Sequence, residues 1–319
     1  MKALVFDKEL NFVENYPKPI PQKGEALIKL TFSGICNTDV EITKGYMGFK
    51  GICGHEFLGI VEDVNSDDKS LVGKRVTGEI NLGCGNCPDC FNGMQRHCQN
   101  RQTLGIFKKD GTFAEYLTLP IENIIEIPSE IPDEEAILIE PLAAALEILE
   151  QVHIRPADKI AVLGDGKLGL LISLVLSTTT ADLITIGKHK NKLNILEKQG
   201  IKTKLLNDAV ETKYYDIVVD ATGSVDGFEK AVSLVKPRGI FVLKSTVAAE
   251  KPLNLAPLVI DEITVVGSRC GQFRPALRLL EKKVLDLKPL ISKVFNFDEA
   301  INAFAFAQEK GILKVILKF

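Results

Sequence analysis

The stretch KIAVLGDGKLGLLISLVL, residues 159–176, constrains the fold more than any other part of this 319-residue chain. A short apolar run at 159–163 meets Gly164, Gly166 and Gly169 in the pattern G-x-G-x-x-G, and an apolar helix follows to about Ser177. Glycines in that pattern are a weak signal alone. Between a strand and a helix they let the backbone and the helix N-terminus come close to a pyrophosphate. Strand-like runs recur at 183–187, 203–206, 216–220, 240–244 and 263–267, separated by helical or loop segments. Six strands alternating with helices predict a doubly wound parallel sheet. The alternative is a sheet of that kind that binds something other than a dinucleotide. The loop residues Gly164, Gly166, Lys167, Leu168 and Gly169 are read as cofactor contacts, and so are Thr222 and Gly223 after the fourth strand.

The second strand carries the choice of cofactor. A carboxylate at its end, about 20 residues beyond the glycine loop, holds the 2′-hydroxyl of NAD. Here the strand ends at Gly187, and Lys188, His189 and Lys190 follow. With no carboxylate at that position and two lysines beside it, the expectation is NADP over NAD, with NAD as the second cofactor. The alternative is a solvated basic turn beside a ribose site that takes both.

The stretch CGNCPDCFNGMQRHC brings Cys84, Cys87, Cys90 and Cys98 together with the spacing C-x2-C-x2-C-x7-C. A ferredoxin-type run would have three residues before its fourth cysteine and a proline after it. Four close thiolates without that pattern suit a closed tetrahedral zinc site. Such a site has no open position for a substrate, so it is structural and the reaction lies elsewhere. Upstream, GICNTDVE carries Cys36 and GHEFLG carries His55 and Glu56, both in glycine-flanked loops. Cys36 and His55 could form part of an open zinc site, or His55 could be a structural histidine. The first ~135 residues show short β runs and many turns, the pattern of a barrel-like all-β domain.

Bulk properties narrow the function class. A formal net charge of −3 gives no electrostatic reason to expect nucleic acid. The N-terminus MKALVFDKELNF meets charge too early for a signal peptide, and the longest apolar run, KLGLLISLVL, is too short to span a bilayer. These features predict a cytoplasmic protein with no membrane partner. Its seven cysteines are then expected as metal thiolates or free thiols.

Taken together, GICNTD, GHEFLG, the four-cysteine lobe, DGTFAEY, EPLA, the glycine loop and the tail FDEAINAF…KVIL resemble the zinc-dependent medium-chain dehydrogenase/reductase family, the alcohol, polyol and threonine dehydrogenase group. The resemblance runs over nearly the whole chain. It implies an α/β protein with a β-rich part: a GroES-like catalytic domain over 1–141, a Rossmann domain over 142–290 and a return of 291–319 to the catalytic domain, with the active site between the domains. It makes Cys36, His55 and Glu140 the ligands of a catalytic zinc, so that two zincs are expected per chain. It implies that Glu56 can replace a ligand or water transiently and that Asp39 holds the far nitrogen of His55. Thr38 is implied as the hydroxyl that passes the substrate proton on. Glu41 stands where classical members have the histidine that ends that relay. The implied reaction is hydride transfer between a secondary, polyol- or sugar-like alcohol and NAD(P) in a homodimer or homotetramer. A zinc-free quinone or enoyl reductase of the same fold is the enzyme rival, and a zinc-knot binding protein is the rival from another class.

Overall fold

The computed structural model describes residues 1–246 and 253–319. The chain divides into two compact units, Met1–Glu140 with Ala276–Lys282 and Ile291–Phe319, and Pro141–Pro275 with Lys283–Leu290. The sequence reading kept 276–282 with the Rossmann part, whereas here it groups with the first unit. The helix Phe273–Glu281 runs across that division.

The first unit is β-rich. Its main sheet has seven strands. Glu25–Ile35 lies at the centre and pairs antiparallel with Glu56–Val64, with Tyr116–Pro120 and with the C-terminal strand Lys314–Lys318. Pairing runs as an open path from Ile124–Glu126 to Ile291–Asn296 rather than closing on itself. The tail therefore folds into the first unit, where Val315 and Leu317 join Ile35, Phe113 and Phe304 in one apolar core. The tail carries the helix Ala300–Phe306, preceded by a tighter turn at Phe297–Glu299.

In the second unit, six strands pair in parallel in the order 202–205, 182–187, 159–163, 215–220, 235–243, 264–267. This is the doubly wound order, whose switch point lies beside the glycine-loop strand. The strands were legible as apolar runs because helices cover both faces of such a sheet. Val235–Leu243 begins earlier than the 240–244 run suggested. Val235, at the start of VKPRG, already pairs with Tyr215 before a register shift. The helix after the loop, Lys167–Leu176, is buried from Gly169 onward.

Candidate functional site

The four-cysteine lobe folds as a short helix, Pro88–Phe91, and a tight turn, Gln95–His97, between its thiols. Gly85 and Gly93 both take φ of 73°, the left-handed turn that favours glycine. All four sulfurs lie within 4.8 Å of one another. Cys87 Sγ is 3.6 Å from Cys90 Sγ and 3.7 Å from Cys98 Sγ. Zinc–sulfur bonds of ~2.3 Å in a tetrahedron give sulfur–sulfur edges of about 3.8 Å, so the thiols already have the dimensions of a zinc cage. The N–H of Cys84 donates to Cys98 Sγ and draws that thiol down to about 7.

The second cluster forms where two loops of the first unit meet. Cys36 caps the helix Asn37–Thr43, and His55 directly precedes Glu56, which opens the strand that pairs beside Gly34. Donor atoms of Cys36, His55 and Glu56 lie within 4.8 Å of one another. Asp39 stitches the two loops together. Fully buried, it accepts from the N–H of Cys36 at 2.8 Å and from the N–H of Gly54 at 3.1 Å. Its Oδ1 stands 3.3 Å from His55 Nδ1, although that nitrogen makes no well-aligned hydrogen bond. Burial disfavours a charged imidazole here, but Asp39 and Cys36 together outweigh it and hold His55 well above its ordinary pKa. Thr38 Oγ1 lies 3.7 Å from Cys36 Sγ. Glu41 does not join the cluster and pairs instead with Lys44 at 3.0 Å.

Glu140 is not a member of the compact donor group. It sits in the first turn of the helix Ile139–Gln151, where Pro141 is tolerated because its missing N–H has no intrahelical partner. Burial pushes its carboxyl up to about 7, with His55 pulling it down and Glu56 pushing it further up. Glu56 has a buried cationic partner, Lys314, which the sequence reading did not single out. Glu56, Gly34 and Ile316 are neighbours across three strands. Lys314 lies two residues before Ile316, on the same face of the last strand. A side chain on Gly34 would strike Glu56 Oε2, so the central strand leaves room there for the Glu56 carboxylate. Lys314 Nζ donates to both carboxylate oxygens, at 2.6 and 2.5 Å, with side-chain exposures of 3% and 0%. Burial works against the ammonium, but Glu56, Cys36 and Glu140 together outweigh it and hold the lysine above its ordinary pKa.

The cofactor candidates gather at the carboxyl ends of three neighbouring strands of the second unit. Leu163 pairs with Ile186 on one side and Asp220 on the other, so Gly164, Gly187 and the Thr222–Gly223 turn are adjacent. Gly166 caps the helix that begins with Lys167, Leu168 and Gly169. Thr222 donates from its N–H and Oγ1 to Asp220 Oδ1, and the N–H of Gly223 donates to Ser245 Oγ. His189 caps the next helix, Lys190–Glu197. Lys188 is exposed, and Lys190 Nζ is engaged by Glu197 at 2.5 Å. A concavity of about 580 Å³ in the first unit is lined by Tyr16, Met47, Phe49 and Asp110 and contains none of these groups.

Comparison with known proteins agrees with this division. A family model described as "Alcohol dehydrogenase GroES-like domain" matches residues 22–129, and one described as "Zinc-binding dehydrogenase" matches residues 168–282. A curated sorbitol dehydrogenase of Halalkalibacterium halodurans is 27% identical, over 96% of this chain and 94% of its own length. A solved structure described as a short chain alcohol dehydrogenase of Escherichia coli, complexed with NADH, superposes with a TM-score of 0.90 at 25% identity, covering 100% of this chain and 99% of that one. A zinc-binding dehydrogenase structure of Sinorhizobium meliloti, bound to NADP, superposes with a TM-score of 0.89 at 25% identity, with coverage of 100% and 99%.

Proposed function

The chain belongs to the zinc-dependent medium-chain dehydrogenase/reductase family, and we propose that it oxidises a secondary, polyol- or sugar-like alcohol to a ketone, or runs the reverse reaction, with NAD(P). The observation that carries the proposal is the meeting of Cys36, His55 and Glu56 in one cluster that Asp39 organises. The likeness to a sorbitol dehydrogenase supports the substrate class.

The donor set fits zinc. It offers a thiolate, an imidazole and a carboxylate, the mixture of an open catalytic site rather than a closed one. Cys36 and His55 would hold the ion, with Asp39 fixing the tautomer that leaves the other ring nitrogen of His55 free to bind. Two carboxylates compete for the third place. Both oxygens of Glu56 are taken by a buried ammonium, whereas Glu140 accepts no hydrogen bond from any described residue and its negative charge is costly in the absence of a cation. Glu140 is therefore assigned as the third ligand, and Glu56 as a neighbouring carboxylate that Lys314 holds in reserve. Zinc, when bound, supplies the Lewis-acid charge that makes an alcohol hydroxyl easy to deprotonate, and the dinucleotide, when bound, accepts the hydride. Thr38, beside the Cys36 thiol, is placed to accept the hydroxyl proton and pass it on. Glu41, three residues along the same short helix from Thr38, is assigned to carry the proton towards solvent.

The four-cysteine lobe is assigned a second, structural zinc. A cytoplasmic homo-oligomer completes the reading. Thiols clustered for metal rather than for disulfides support a reducing compartment. Metal analysis tests the core of the proposal directly. Two zincs per chain are expected, and His55→Ala should abolish turnover while dinucleotide binding persists. Retained alcohol oxidation by that variant would overturn the catalytic assignment.

A further inference from the structure

The end of the second Rossmann strand presents two backbone donors. The N–H groups of Lys188 and His189 open the helix Lys190–Glu197, and such a pair at a helix N-terminus is suited to an anion. In dinucleotide folds this strand end meets the adenosine ribose. A 2′-phosphate on that ribose would need these donors or the lysines beside them.

Those donors are already taken. Asp165, the residue between the first two glycines of the loop, turns its carboxylate onto them. Its Oδ2 accepts from the N–H of Lys188 at 2.7 Å and from the N–H of His189 at 2.5 Å. Both oxygens lie 3.1 Å from His189 Nδ1. Asp165 is only 7% exposed. Burial opposes its charge, but the N–H and imidazole of His189 and the N–H of Lys188 hold its pKa below the ordinary carboxylate value. The glycine at the strand end explains how it fits. A Cβ on Gly187 would stand 2.6 Å from both Cβ and Oδ2 of Asp165. The Asp165 side chain thus fills the space from which a strand-end carboxylate would start. Of the two lysines on which the NADP expectation rested, Lys190 is bonded to Glu197. The carboxylate missing from position 187 is present, supplied by position 165.

We propose that Asp165 determines cofactor choice: its carboxylate occupies the Lys188/His189 donor pair, closes that seat to a 2′-phosphate and offers its remaining acceptor capacity to a 2′-hydroxyl, so the protein takes NAD in preference to NADP. This inference rests on the dinucleotide reading of the second unit. Freeing the donors should open the seat, because a phosphate would then gain two N–H groups and lose a like-charged neighbour.

The test is titration of the metal-loaded protein with NADH and NADPH, read as dissociation constants by nucleotide fluorescence or calorimetry. Wild type should bind NADH about tenfold more tightly or better, a difference of ~1.4 kcal/mol. Asp165→Ser should narrow or invert that ratio, with most of the change in the NADPH constant. Asp165→Asn keeps the shape without the charge and should move the ratio the same way by a smaller factor. A wild type that prefers NADPH, or a ratio unmoved in a folded Asp165→Asn protein, overturns the role of Asp165 and leaves the dinucleotide reading standing. A wild type that binds neither nucleotide overturns both.

Discussion

Replacing Lys314 with methionine is the sharpest probe of how the candidate metal centre is held. The substitution preserves most of the stem and removes the ammonium. It leaves the Glu56 carboxylate, 0% exposed, with its principal cation gone. Breaking one side of a buried ion pair costs about 3–5 kcal/mol, because the remaining charge keeps its desolvation penalty and loses its compensation. At roughly 2–4 °C per kcal/mol for a unit of this size, unfolding of the first unit should fall by roughly 6–20 °C. Differential scanning calorimetry on protein of verified metal content would measure it. The double variant Lys314→Met/Glu56→Gln supplies the control. With both charges absent it should recover most of the loss, since a buried pair is often worth little against an uncharged replacement. A single variant that melts within about 2 °C of wild type would refute the reasoning. So would a double variant no more stable than the single one, because the defect would then be packing and not an orphaned charge.

Two further outcomes follow from the same geometry. Cys87→Ser should lose one of two zincs and melt lower, with the remaining metal still in the His55 cluster; retention of both metals with an unchanged melting temperature would remove the structural-zinc assignment. Glu140→Gln should weaken binding of the catalytic zinc selectively, by on the order of 10-fold or more, measured by competition with a chromophoric chelator. Unchanged affinity would identify Glu56 as the third ligand.

The parts of this protein that its sequence determined are those whose physics is local. Four cysteines within fifteen residues, with glycines and a proline between them, let a short turning loop bring all four thiols onto one ion wherever the lobe sits. The inner parallel strands 159–163, 182–187 and 215–220 announced themselves as apolar runs because they are mostly buried, although the edge strand Thr264–Gly267 is largely exposed, and the glycine loop announced itself by its spacing between a strand and a helix. Cys36 and His55 were visible as ligand types in glycine-flanked loops. Asp39 was assigned through the family resemblance, and the tertiary structure shows its carboxylate joining the two loops. Two decisions belonged to the tertiary structure alone. Lys314 reads as an ordinary cation in an apolar strand. It finds Glu56, 258 positions away, through the register that sets Ile316 beside Gly34 and Gly34 beside Glu56. Asp165 reads as a variable loop residue, and position 187 as a strand end without a carboxylate. Parallel pairing of 159–163 with 182–187 brings the two together, and the empty side of Gly187 admits the carboxylate from position 165. A side chain's charge is written in the sequence, but its partner is set by strand register, and register depends on how the whole sheet buries its faces.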